Sequence, residues 1–290
     1  MKRPSAILLC FFVLSSLTAC GEAVLHGPPN PPPIPDSLVA MEQEITVMSF
    51  NVWTRRESLD ERLDGVVHTI LSEAPDSFGL QEAHEGWKSA MERALGGLYG
   101  AACDTGRDHG SGEAVPVYYL LEKYELVDEG VFWLSDKPGA VTKGWDASLR
   151  RVAGYAVLRD KATGFTYAHF NSHFDHIGPI ARANSARLVA DRINAMGLPA
   201  VFTADVNAGP DELPPQYLEA GGLRDLRKTA AVTDTGGTFH GYSGGERVID
   251  YIYANHYMSG AAYFNVIRDE YDGMYPSDHF AVSAKLMLAN

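Results

Sequence analysis

Basic side chains are in short supply. The 290 residues hold 24 Lys and Arg against 37 Asp and Glu, a formal charge of −13. Tight non-specific binding to nucleic acid rests on neutralising phosphates, so this balance argues against it. It leaves room for a locally basic site or a small phosphate ester. The chain also lacks His-Glu-x-x-His and the Gly-x-x-x-x-Gly-Lys-Ser/Thr loop, which removes a zinc-peptidase site and a P-loop. The Gly-rich run Gly236-Gly237-Thr238-Phe239-His240-Gly241 has neither P-loop spacing nor its lysine. No internal repeat is visible, and no second linker follows Pro35. Cysteine is scarce: Cys10, Cys20 and Cys103 are all there is. No apolar run approaches the ~20 residues a membrane helix needs.

What is present at the amino end is a secretory signal: Lys2 and Arg3, an apolar stretch Ala6–Leu14, then small residues. Leu17-Thr18-Ala19-Cys20 resembles a bacterial lipobox, which implies cleavage before Cys20 and lipid on its thiol. Gly21, rather than Asp, after that cysteine favours outer-membrane sorting in a diderm bacterium. An ordinary signal peptide cut nearby is the alternative. The expected organisation is a signal peptide over 1–19, a lipidated, Pro-rich tether over 20–40 and one domain over 41–290. The expected location is an exported protein, lipid-anchored to a bacterial envelope membrane. Losing Lys2 and Arg3 leaves 22 basic against 37 acidic residues, net −15. Only Cys103 then remains, so neither an internal disulfide nor a cysteine metal site is available, and Cys103 reads as a small packed residue.

Short apolar strands alternate with a few amphipathic helices, the pattern of an α/β or α+β domain. Strands are expected at Ile45–Phe50, Ser77–Leu80, Val115–Leu121, Tyr124–Leu134, Val152–Leu158, Phe165–Phe170, Ala200–Ala204, Val248–Tyr253 and Phe280–Leu286. Helices are expected at Leu59–Ala74, Trp87–Leu95 and Arg182–Met196, with a shorter one inside Glu212–Asp225.

The polar residues at the strand ends carry the chemistry. Asp205 and Asn207 close an apolar strand, and in extended chain i and i+2 share a face. Asn51, Glu82, His173, Asp175, Asp250, Asp278 and His279 hold comparable positions. Each alone reads as a turn former, a solvated carboxylate or a structural pair. An acid inside an apolar strand, as Asp250 is, needs a partner, and a histidine is a natural one. Gathered together, a hard-metal carboxylate, imidazoles and amides suit metal-assisted attack of water on a phosphoester.

The ordered set resembles the endonuclease/exonuclease/phosphatase, or DNase I-like, superfamily. The matching stretches are Ser49-Phe50-Asn51-Val52-Trp53, Leu80-Gln81-Glu82, Asn171-Ser172-His173-Phe174-Asp175-His176, Asp205-Val206-Asn207, Ile249-Asp250-Tyr251-Ile252 and Ser277-Asp278-His279. Phe132-Trp133-Leu134-Ser135 and Gly144-Trp145-Asp146 look like a secreted or lipoprotein subgroup of metal-dependent hydrolases. The resemblance implies a four-layer α/β sandwich with two central mixed sheets flanked by helices. It also implies Mg²⁺ or Mn²⁺ on Glu82, completed by Asn51 and Asp278. His173, Asp205, Asn207, Asp250 and His279 would be catalytic, with the general base left open. Arg107, Glu113, Arg151, Asp175 and His240 are candidate substrate contacts. One departure is Ala204-Asp205-Val206-Asn207 where the family usually has Gly-Asp-Phe-Asn.

The favoured expectation is therefore a metal-dependent phosphoesterase acting on a small or lipid-linked ester, meeting the membrane through lipid on Cys20 and needing no obligate protein partner. A secreted nuclease ranks second, because Arg107, Lys143, Arg150 and Arg151 could line one groove. A binding module on a dead scaffold is the reading from another class. It predicts a missing metal ligand or imidazole, and none is missing.

Overall fold

The computed structural model describes residues 43–55 and 58–288, and the expected signal, lipidation site and tether lie outside them. The first part of the chain forms β1 (Gln43–Asn51), α1 (Leu59–Glu73), β2 (Ser77–Gln81), α2 (Glu85–Leu95), β3 (Tyr99–Ala102), β4 (Val117–Leu120) and β5 (Tyr124–Trp133). Then come β6 (Val152–Asp160), β7 (Thr166–His173), α3 (Pro179–Met196), β8 (Ala200–Asp205) and α4 (Leu213–Ala220). The last part holds β9 (Arg224–Asp225), α5 (Leu226–Thr229), β10 (Val232–Thr233), β11 (Asp250–Ala254), β12 (Ala261–Ile267) and β13 (Ala281–Leu288).

These strands make two mixed sheets, a seven-stranded one in the order β10-β12-β13-β1-β2-β4-β3 and a six-stranded one in the order β5-β6-β7-β8-β11-β9. Period-two alternation explains how they stack. On β1, Met48 and Phe50 point outward, where Val66 and Ile70 of α1 and Trp87 of α2 cover them. Ile45 and Val47 point inward and meet Val201, Ile252 and Tyr167 of the other sheet. Phe170, Phe202 and Tyr253 point out of the second sheet onto Val189 and Ile193 of α3 and Leu218 of α4. Helix, sheet, sheet, helix gives the four layers expected. No helix among the described residues is long and apolar enough to cross a membrane.

The inward rows change character along their length. On β1, Ile45 and Val47 give way to Ser49 and Asn51; on β8, Val201 gives way to Thr203 and Asp205. One end of the space between the sheets is thus apolar and the other polar. The polar residues bond one another: His169 Nδ1 lies 2.7 Å from Ser77 Oγ and its Nε2 lies 2.9 Å from Thr203 Oγ1. Thr203 donates to Asn171 Oδ1 (3.1 Å), which also receives Gln81 Nε2 at 2.7 Å. A Cβ on Gly79 would sit 2.4 Å from both Asn171 and Thr203, so the close approach of the sheets requires glycine there.

Several boundaries differ from expectation. β7 continues past Phe170 to His173, because Asn171 and His173 occupy the same inward row as Tyr167 and His169. β11 starts at Asp250 rather than Val248, so that acid opens the strand instead of interrupting it. α3 begins at Pro179, whose missing N–H costs nothing at a helix start, and Asp146 accepts from Ile180 N and Ala181 N there. β3, β12 and the two-residue β9 and β10 were not expected.

Candidate active site

Strand register assembles the site. β7 and β8 run parallel with His173 opposite Asp205, and β11 runs antiparallel to β8 with Asp250 opposite Asp205. His173, Asp205 and Asp250 therefore stand in a row at the polar end of the second sheet. In the first sheet Asn51 lies opposite Gln81, one residue before Glu82. β13 runs antiparallel to β1 with Val282 opposite Ser49, which carries Asp278 and His279 past the Asn51 end.

The two groups meet through Asn51. Its Nδ2 donates to Asp205 Oδ2 at 3.0 Å and to Glu82 Oε1 at 3.3 Å, while its Oδ1 accepts from Trp53 N at 3.0 Å. Glu82 Oε2 accepts from Thr54 N at 2.6 Å. Glu82 (φ 61°) and Asn207 (φ 50°) both hold left-handed backbone, rare outside glycine and frequent where a site dictates the conformation. Asn207 N donates to Asp205 Oδ1 at 2.9 Å. Its Nδ2 donates to Phe174 O and points at His173 Nε2, 2.9 Å away, so that nitrogen accepts and Nδ1 carries the proton. His173 Nδ1 is buried without a partner among the described residues.

His279 forms the other half. Its Nδ1 donates to Asp250 Oδ2 (2.9 Å) and its Nε2 lies 3.8 Å from Asp205 Oδ2. Thr238, in the Gly-rich run, donates to Asp250 Oδ2 at 2.7 Å; that run supports the Asp250 carboxylate. Burial alone would lower the His279 pKa, but Asp250, Asp205 and Asp278 override it and raise it to about 10. Burial, then the Asp250 charge, pushes the Asp205 carboxyl up to about 7. Burial, with Arg151 and His279 nearby, drives His173 well below the usual imidazole range. One imidazole is thus held charged and the other neutral, with a carboxyl poised between them.

Two places invite a metal. Asp205, Asp250 and His279 offer ligand atoms all within 4.8 Å of one another. The Asp250 oxygens there are bonded to His279 and Thr238. Glu82, Asn51 and Asp278 form a second set, in which the Glu82 oxygens accept from Asn51 Nδ2 and Thr54 N and Asn51 Oδ1 accepts from Trp53 N. All offer oxygen, and burial followed by the Glu82 charge raises the Asp278 carboxyl to about 6. Carboxylates that raise one another's pKa in this way are relieved by a divalent cation.

The second-tier residues separate. Arg107, Glu113 and Arg151 line a cleft with Glu82 and His173. Asp175 is fully engaged elsewhere: it accepts from Ser148 N and Oγ, Leu149 N, Ile177 N and Gly178 N. His240 is buried, its Nε2 donating to Ser277 O (2.9 Å) and its Nδ1 accepting from Tyr242 N (3.2 Å). Arg62 was not anticipated. Buried on α1, it donates to the carbonyls of Val52, Trp53, Arg55 and Pro276 and fixes both loops that carry Asn51 and Asp278. Its signal was a cation four residues before Val66, on the apolar face of the helix. Ser277 was also missed; its Oγ donates to Asn51 O at 2.6 Å.

Comparison with known proteins is consistent with this geometry. The Endonuclease/Exonuclease/phosphatase family matches residues 48–279. An endonuclease/exonuclease/phosphatase family protein from Bacteroides thetaiotaomicron is 30% identical, with a TM-score of 0.80 over 86% of this chain and 100% of that one. A mannosyl-6-phosphatase from the same organism is 31% identical, TM-score 0.77, over 83% of this chain and 99% of that one. The human Nocturnin catalytic domain, solved with a bound sulfate, shares the fold at 18% identity and TM-score 0.63, over 86% and 96% of the two chains. No curated protein sequence matches the chain.

Proposed function

The chain belongs to the endonuclease/exonuclease/phosphatase family, whose members in general hydrolyse phosphoester bonds, and on that premise we propose that it is a divalent-metal-dependent phosphoesterase acting on a small or lipid-linked ester. The observation that carries the reading is Asn51. Its amide spans the two sheets and sets the Glu82 carboxylate beside the His173–Asp205–Asp250–His279 row. The 31% identity to a mannosyl-6-phosphatase supports a small ester, as does the acidic balance of the chain.

Glu82, Asn51 and Asp278 would hold Mg²⁺ or Mn²⁺. Bound there, such an ion would supply neutralisation of phosphate oxygens and a lowered pKa for water. Asp205, raised to about 7 and fixed by Asn51 and the Asn207 N–H, accepts the proton of the attacking water. The water oxygen bonds to phosphorus as the ester P–O bond breaks, and the departing alkoxide takes up a proton from solvent to leave as the alcohol. His279, held charged by Asp250, stabilises the negative charge that develops. We also propose export and lipidation at Cys20, on the strength of the lipobox-like Leu17–Cys20.

The test is hydrolysis by the purified protein, with Mg²⁺ and with EDTA, across sugar phosphates, inositol phosphates, a phospholipid diester, DNA and RNA. Metal-dependent turnover that falls at least ~10³-fold in Asp205→Ala is expected. No turnover of any member, with no Mn²⁺ binding that Glu82→Gln abolishes, would sink the catalytic reading.

A further inference from the structure

Arg62 spends every N–H of its guanidinium on a neutral oxygen. Nε donates to Ser58 Oγ at 2.9 Å. Nη1 donates to Val52 O at 2.7 Å and Pro276 O at 3.0 Å, and Nη2 to Trp53 O at 2.9 Å and Arg55 O at 3.1 Å. Five donors thus meet five acceptors, none of them a carboxylate. The side chain is 3% exposed, and its cation lies 5.1 Å from the ring centroids of both Trp53 and Trp87. Burying a charge against neutral groups alone is costly, and here two loops rather than the core receive it.

Those loops carry the side chains of the Glu82 set. Val52 and Trp53 follow Asn51. Trp53 N donates to Asn51 Oδ1 at 3.0 Å and Thr54 N to Glu82 Oε2 at 2.6 Å, so the turn that Arg62 grips also aims both of those side chains. Trp53 holds left-handed backbone (φ 55°), which a bulky residue adopts only at a cost. Its carbonyl is kept there by Arg62 and by Trp87 Nε1 at 3.2 Å. Pro276 stands two residues before Asp278, and Ser277 Oγ adds a parallel tie, donating to Asn51 O at 2.6 Å. Three residues along α1 from Arg62, a Cβ on Gly65 would sit 3.0 Å from Pro276 Cβ, so the same helix face seats the second loop.

Arg62 acts on a cation at this set in two opposed ways. Burial lowers its pKa, while Tyr242, Asp278 and Glu82 act against that, so its charge is felt at both carboxylates and repels an incoming divalent ion. Its hydrogen bonds do the reverse, because they hold the ligand oxygens at one spacing. On the reading that Glu82, Asn51 and Asp278 hold a divalent cation, we infer that Arg62 is a positioning residue for that site: its grip on residues 52–55 and 276 sets the spacing of the three ligands, and this geometric effect outweighs the repulsion of its charge.

The experiment titrates Mn²⁺ into the substrate-free protein, follows the free ion by electron paramagnetic resonance, and records Tm for each variant. Arg62→Gln loses both charge and fork, and should weaken Mn²⁺ binding by about 10–100-fold. Arg62→Lys keeps the charge without the fork, and a loss of about tenfold is expected. Ser277→Ala removes the parallel tie and only one hydroxyl; it too should lose about tenfold. Ser58→Ala removes the one acceptor that belongs to neither loop, and should keep the wild-type affinity at a lowered Tm. Tighter binding in Arg62→Gln would show that the field of the charge dominates and overturn the proposal. Unchanged affinity in Arg62→Gln and Arg62→Lys beside a lowered Tm would reduce Arg62 to packing. An equal loss in Ser58→Ala would show that affinity merely follows stability. Should neither Arg62 variant fold, Ser277→Ala decides, and an unchanged affinity there overturns the proposal. A wild type that binds no Mn²⁺ is a separate failure, that of the cation reading itself, and the positioning role falls with it.

Discussion

Asp175 works on the loop, not in the cleft. Four backbone N–H groups and the Ser148 hydroxyl converge on it, tying residues 146–151 to the start of α3 and so holding Arg151 in place. Burial raises its pKa, but those hydrogen bonds win and hold it well below the usual carboxylate range. A depressed folded-state pKa contributes stability that is complete above the unfolded value of about 3.9 and is lost as pH falls through the folded value. Asp175→Asn replaces one accepting oxygen with an NH₂, turning a donor toward a ring of donors. It should cost about 2–3 kcal/mol at pH 7 by urea titration, and the gap from the wild type should narrow by pH 3. A gap that stays constant with pH would show that charge is not what Asp175 contributes. The residue was visible in the sequence as part of a His-x-Asp-His cluster. Its role was not, because a carboxylate aimed at a ligand and one aimed at its own loop look alike in one dimension.

The inward rows of β1, β2, β7, β8 and β11 explain why the site forms at one end of the sandwich. Period two told which side chains share a face, so Asp205 with Thr203 and Asn51 with Ser49 were readable from the chain. Which strand lies beside which was not readable, because pairing joins residues far apart, as His173 and Asp205 are. β12 escaped because its Ala261–Ile267 run follows a Gly-ended loop and no polar motif marks it. The network through Ser77, His169, Thr203 and Asn171 fills the inter-sheet space below the site, and burial lowers the His169 pKa to about 3, keeping it neutral. Gly79→Ala would drive a methyl into Asn171 and Thr203. It should destabilise by about 1–3 kcal/mol and, by displacing Asn171 beneath the proposed catalytic row, lower kcat more than it raises KM. Unchanged kcat with lowered stability would confine the network to packing.

Over the whole molecule, charge and direction matter more than any one contact. The net −13 coexists with three arginines, Arg107, Arg150 and Arg151, among the residues that line the cleft, so repulsion of a long polyanion and attraction of a small one can operate together. The direction of β1 adds a second constraint. The chain enters the domain at Gln43 and reaches the site at Asn51, about 26 Å further along the strand at ~3.3 Å per residue. With the proposed lipid on Cys20, the tether would join the domain at the end of β1 away from Asn51, so the anchor need not block the site. Fixing the protein to vesicles through Cys20 should therefore leave turnover of a soluble sugar phosphate within about twofold of the free rate, within the limits of ordinary mutational noise in ΔΔG‡. Acceleration confined to a phosphoester carried in the same vesicles would reverse that picture.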